Sequence, residues 1–242
     1  MELRRVGVMV MILVGVTAMG CQSNARRTGP RAPHMMAASG DRALAKGDFA
    51  TAEAEYAQVV EAQPWNARAR LQYGKALLGV DNPRKAREEL EKAYTTLPKD
   101  DEVMYTLAEA MGRSGEYESG VRLLQTIAEE RRRPTDWLRL GRYAQRGKDY
   151  DTAEKAYLAA ALGDGGLHAE YQMALYGYYM EIGDETKAVQ RLAMAYWLEP
   201  KNEEFAAKIK NHGYQPGAAF ALRPVEQASQ RVPDPVILRG DR

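Results

Sequence analysis

Three columns of residues repeat along this chain in the same steps. A small residue stands at Gly40, Gly74, Ala108 and Gly141, with Tyr176 in the fifth place. A second small column runs through Ala52, Ala86, Gly120, Ala153 and Ala188, and a third through Tyr56, Leu90, Leu124, Tyr157 and Leu192. All three advance by 34, 34, 33 and 35 residues. A globule with one core has no reason to keep such a step, whereas a stack of like units does, each unit burying its apolar face against its neighbours.

Turn chemistry falls on the same grid. Gly47-Asp48, Asp81-Asn82-Pro83, Gly115-Glu116, Gly147-Lys148-Asp149 and Gly183-Asp184 divide each unit in two. Glycine closes one helix through a left-handed residue and Asp or Asn caps the next, so each unit is predicted to be a pair of short helices. Pro64, Pro98 and Pro200 end the second helices of three units; Arg132 and Gly165 hold that place in the third and fourth. The small columns predict close helix packing, with Gly74 facing Ala86 and with Tyr73 and Leu90 filling the space around them.

The best-kept unit reads Trp137-x-x-Leu140-Gly141, a polar turn, then Ala153-x-x-x-Tyr157-x-x-Ala160. This resembles the tetratricopeptide-repeat motif. The resemblance implies an all-α fold: an α-solenoid of about five helix-turn-helix repeats at residues 34–66, 67–100, 101–133, 134–168 and 169–201. A capping helix at 202–213 follows, with Phe205, Ala206 and Ile209 on one side. His34-Met35-Met36 stands where the motif has Trp or Leu. Tyr176 in the small-residue column predicts a fifth pair that splays or packs differently.

The flanks are of other material. Arg4 and Arg5 precede an uncharged apolar run over residues 6–18, which ends Ala18-Met19-Gly20-Cys21. That run is shorter than the roughly 20 residues a spanning helix needs and fits a secretory signal. Cys21, the one cysteine in the chain, follows it as in a bacterial lipobox, which implies removal of residues 1–20 and lipidation of Cys21. With Gln22 next, the expected location is the cell envelope, at the outer membrane facing the periplasm where two membranes exist. Residues 21–33 read as a basic, flexible tether and residues 214–242, with four prolines, as a disordered tail.

Catalysis finds no support in the sequence. His34, His168 and His212 lie outside any metal-binding or catalytic motif, no phosphate-binding glycine loop occurs, and neither a metal nor a cofactor is expected. Lys and Arg number 34 against 33 Asp and Glu, a balance that supplies no field for nucleic acid. Binding to a protein or peptide is the better reading. The family's geometry puts first helices on the inner, concave wall, which implies a surface of Leu71, Lys75, Tyr105, Glu109, Arg113, Leu138, Arg142, Arg146 and Met173. The clamp with which some family members grip a C-terminal carboxylate is absent: its sites hold Ala37, Asp41, Gln72, Glu102 and Thr106. The fifth unit carries Tyr171, Tyr178, Tyr179 and Trp197, expected as an exposed aromatic patch on a helix with rings on nearly every side. The expected function is a membrane-anchored scaffold in the cell envelope, of the kind that assembles secretion or pilus systems. The alternative is recognition of glycan or peptidoglycan by the aromatic patch.

Overall fold

The computed structural model describes residues 31–229. Helices are the only regular elements among them, and ten of these form five antiparallel pairs. The pairs are α1 (Pro33–Ala45) with α2 (Phe49–Ala62), α3 (Ala67–Gly79) with α4 (Pro83–Thr96), and α5 (Asp101–Arg113) with α6 (Tyr117–Arg131). Then come α7 (Pro134–Arg146) with α8 (Tyr150–Asp164), α9 (Ala169–Glu181) with α10 (Glu185–Leu198), the single α11 (Glu203–Asn211), and a short α12 (Val225–Ser229). Each pair packs on the next, giving an α-solenoid.

The helix starts are fixed by capping. The side chains of Asp48, Asn66, Asn82, Asp100, Asp149, Asp184 and Asn202 each accept a backbone N–H from the first turn of the helix that follows. Between the helices of a pair the chain passes through one left-handed residue: Gly47, Asp81, Gly115, Lys148 and Gly183. In the fourth unit the lysine therefore takes the conformation expected of Gly147, whose φ is −78°. Gly147 is small for another reason: a Cβ there would come within 2.2 Å of the Tyr117 ring.

The small columns bring helices together, but with different partners from those the spacing suggests. A Cβ on Gly40, Gly74 or Gly141 would lie 2.6 Å from Tyr56, Leu90 or Tyr157 respectively. Gly74 thus receives Leu90, not Ala86. In the fifth unit Tyr176 turns its ring toward α11, where its hydroxyl lies 3.2 Å from His212 Nε2 and the two rings meet edge to face. Between the third and fourth units Tyr117 and Tyr143 stack in parallel, centroids 5.3 Å apart.

Residues 214–229, expected as part of a disordered tail, fold back on α9 and α10 as a strap. Phe220 packs against Tyr196 and Tyr214, and the Leu222 N–H donates to Ala193 O at 3.2 Å. Residues 230–242, and the signal, Cys21 and most of the tether expected at the other end, lie outside the described residues.

Burial pushes the phenols of Tyr117, Tyr143 and Tyr157 up to about 12. In an unfolded chain they ionise near about 10. The raised folded-state values contribute stability that is whole below pH 10 and is lost as pH climbs toward 12. Helical signal in circular dichroism is expected to collapse in that window, together with the rise in phenolate absorbance at 295 nm.

Candidate functional site

A groove of about 900 Å³ lies between the first helices of the third, fourth and fifth units. A smaller hollow of about 400 Å³, lined by Arg142, Met173, Ala174 and Gly177, adjoins it along α9. The helical period decides which residues face it. In α5 they include Glu102, Thr106 and Glu109, and in α7 Arg139, Arg142 and Arg146. These are steps of three and four residues along one stripe of each helix. Glu181 closes the groove from the end of α9.

Of the expected inner-wall residues, Tyr105, Glu109, Arg142 and Arg146 line this groove, Met173 lines the adjoining hollow, and Arg113 borders a small pocket beside it. Lys75 stands on α3 and pairs with Glu102. Leu71 and Leu138 are corrected: they are 0% and 3% exposed and belong to the core. Both occupy the fifth position of their helix, and the open position is the sixth, where Gln72 and Arg139 stand. One residue turns a helix by about 100°, enough to exchange wall for interior.

The aromatic patch is corrected as well. Tyr171, Tyr178 and Tyr179 are 7%, 2% and 3% exposed, and of the four residues only Trp197 is open, at 41%. The helix α9 has neighbours on both sides and can bury rings around most of its circumference. Hydroxyls reach polar partners at the edges: Tyr178 donates to Tyr150 O at 3.0 Å and Tyr179 to Glu154 Oε1 at 2.8 Å. Three of the four expected rings therefore belong to the core, and Trp197 alone of them faces solvent.

Charges in the groove are layered. Asp136, 1% exposed, accepts hydrogen bonds from Tyr105 Oη at 2.6 Å and from Arg133 Nε at 2.8 Å. This fixes the Tyr105 ring, over which the Arg139 guanidinium lies at 3.9 Å. Burial first and the bond to Asp136 second hold the Tyr105 phenol above its ordinary range. Burial raises the Asp101 carboxyl, but its bonds to Arg131 and Arg133 outweigh this and keep it below the usual value. Tyr157 Oη donates to Gln145 Oε1 at 2.6 Å, and Gln145 Nε2 donates to Glu181 Oε2 at 2.5 Å.

The acids of the groove are thus engaged. Asp101 pairs with arginines, Glu102 with Lys75, Glu109 with Arg113, and Glu181 takes hydrogen bonds from Gln145 and Tyr150. Arg142 pairs with Glu170 at 3.0 Å. Arg146 and Lys148 are exposed and have no carboxylate within ion-pair distance among the described residues. Sequence reasoning missed Lys148, whose signal was a non-glycine residue at the turn position where three of the five units hold glycine. Its φ of +61° is strained for a lysine by about 1 kcal/mol. Lys148→Gly is expected to raise stability by about 0.5–1 kcal/mol while removing a cation from the groove rim; thermal denaturation checks the gain.

Residues 43–93 and 77–144 match a family model described as tetratricopeptide repeat. No curated protein matches the chain in sequence. Among solved structures, a crystal structure of MamA protein superposes with a TM-score of 0.53 at 24% identity, covering 79% of this chain and 98% of that one. MamA residues 41 to the end from Desulfovibrio magneticus RS-1 give 0.55 at 14% identity, covering 71% and 97%. TTC0263, a thermophilic protein of the same repeat class in Thermus thermophilus, gives 0.51 at 18%, covering 74% and 98%. At these identities the likeness is one of fold. Helix pairs on a 34-residue grid, small columns at their crossings and the family match lead to one conclusion: residues 43–144 are tetratricopeptide repeats, and the described helices on either side continue them as one α-solenoid, a scaffold for protein–protein interaction.

Proposed function

We propose that the groove over α5, α7 and α9 receives an extended segment of a partner protein, with an acidic side chain of that segment at Arg146 and Lys148. The supporting observation is the charge layout: the groove's carboxylates are committed to partners while two cations at one end have no carboxylate beside them among the described residues. An incoming carboxylate there gains charge-assisted bonds without displacing an existing pair. Tyr105 and Arg139 offer a rigid, flat surface beside it, and such residue types dominate binding energy at interfaces. Selection of displayed random peptides on the wild-type chain tests this. Enriched sequences should carry Asp or Glu, and Arg146→Ala with Lys148→Ala should weaken them about tenfold, worth about 1.4 kcal/mol. Enrichment without acidic residues, or affinity unchanged in the double variant, would overturn it.

The scaffold is proposed to work in the cell envelope, moored by a lipid on Cys21, where it would hold its partner beside a membrane during assembly of a secretion or pilus system. The support is in the sequence: the charged start, the short apolar run and the cysteine that ends it. Metabolic labelling with an alkyne fatty acid should mark the wild-type protein and leave Cys21→Ser unmarked. Equal labelling of the two, or none of the wild type, rejects the anchor.

A further inference from the structure

The strap ends in a polar slot that the repeat array itself leaves unfinished. Gln172, fully buried, is the fourth residue of α9, and Arg191 is the seventh of α10. Arg191 Nη1 donates to Gln172 Oε1 at 3.0 Å, which leaves the guanidinium charge, on a side chain 12% exposed, without an acid from either helix. Glu226 of the strap supplies it: Arg191 Nη1 donates to Glu226 Oε1 at 2.5 Å, and Gln172 Nε2 donates to Glu226 Oε2 at 3.1 Å.

The second unit shows what a closed version of this slot looks like. The same two positions, fourth in α3 and seventh in α4, hold Arg70 and Glu89, which pair with each other inside the repeat. In the fifth unit the arginine has moved to the second helix and the acid is gone. The carboxylate has to come from outside the array, because a buried cation without a counter-charge is strongly unfavourable.

What brings that carboxylate is otherwise held by the Phe220 ring, by Pro224 buried against Gly166 and by single hydrogen bonds, none of them a second charged contact to the array. The strap departs after Gly213, at a left-handed φ of +81°, and runs through Pro216 and Gly217 off the repeat grid. Phe220 is only partly buried, Leu222 and Val225 point outward at 45% and 54% exposure, and Gln227 donates to Gly166 O at 2.8 Å. None of these residues lines the groove over α5, α7 and α9.

We propose that the Gln172–Arg191 slot, with the neighbouring Tyr196 surface, is a second peptide-binding site. Its ligand class is a segment with a glutamate six residues after an aromatic side chain, and the strap is the exchangeable ligand that occupies it in cis. Tethered, the strap competes at an effective concentration in the millimolar range, so an outside segment displaces it only when the strap is weakened.

A fluorescein-labelled synthetic peptide with the sequence of residues 214–229 tests the proposal on the full chain, read by anisotropy. Wild type should bind it weakly. Glu226→Gln in the protein, which uncouples the resident strap but keeps the slot, should bind it at least tenfold more tightly. The gain should vanish when the peptide also carries Gln in place of its glutamate, or when Arg191→Met is added to the protein. Leu222→Pro, which removes the strap's N–H bond to Ala193 at a half-exposed site, should give the same gain and serves if Glu226→Gln loses helical signal. Equal affinity for wild type and both strap variants, or binding indifferent to the peptide's glutamate, would overturn the proposal. Neither result bears on the acidic peptides selected on the groove.

Discussion

Gly141→Leu should destabilise the chain by about 3 kcal/mol, at the upper end of what overpacking a well-filled interior costs. The first added carbon alone would sit 2.6 Å from Tyr157 Cδ1 and 2.7 Å from Cε1. That ring cannot step aside: it is 2% exposed, its hydroxyl is bonded to Gln145 and its other side meets Tyr178 at a centroid distance of 5.9 Å. The helices α7 and α8 would have to part. For an array of this size the loss corresponds to a fall of about 6–12 °C in the apparent Tm. Gly177→Ala is the control. It also lies inside a helix, yet a Cβ there meets nothing within 4 Å. Replacing glycine in a helix interior is expected to stabilise by about 0.5–1 kcal/mol. Differential scanning calorimetry of the two variants should show shifts of opposite sign; a melting curve unchanged in Gly141→Leu would contradict the packing described for the fourth unit.

Asp136→Ala is expected to cost about 2–3 kcal/mol, the range for hydrogen bonds to a buried charged group. Substitution leaves the Tyr105 hydroxyl without its acceptor and Arg133 with Asp101 alone. The carboxylate also sits in the first turn of α7, where negative charge is favoured by the helix dipole. Asp136→Asn keeps an oxygen for Tyr105 but not the charge, and should lose about half as much. Tyr105 supplies a second readout. Burial and the bond to Asp136 both raise its phenol, so removal of Asp136 should move its ionisation back toward the ordinary value. A spectrophotometric titration of wild type against Asp136→Ala, compared below the pH at which either unfolds, detects an extra phenol ionising early. Groove affinity for acidic peptides should fall with it, since the tyrosine ring carries Arg139.

The architecture was readable because it is periodic. A column such as Gly40, Gly74, Ala108 and Gly141 repeats the same packing problem, and repetition separates it from chance. The groove was readable only to within one helical position. Lys75, Glu109, Arg142 and Arg146 sit in the open register, and Leu71 and Leu138 one residue before it. Spacing gives the stripe, but which side of the stripe meets the next unit depends on how the pairs pack. Tyr171, Tyr178 and Tyr179 were misjudged for a related reason. A helix judged alone has one buried face, whereas α9 is covered by the units before and after it. The strap was not readable at all. Its essential contact joins Arg191 to Glu226 across 35 residues with no period to announce it, and Pro216, Gly217 and Pro224 interrupt any helical pattern in the sequence.

The two ends of the stack are finished differently. Beyond α10 stand α11 and the strap, while α1 meets α2 and α3 and, among the described helices, has no outer neighbour. Under tension applied through the N-terminal segment, such as a moored protein would feel from a moving partner, the chain should peel hairpin by hairpin starting with α1 and α2, as nearest-neighbour stacks do. The units that house the groove would be the last to give way, so a pulled tether would lengthen by two repeats before the grip on its cargo loosened.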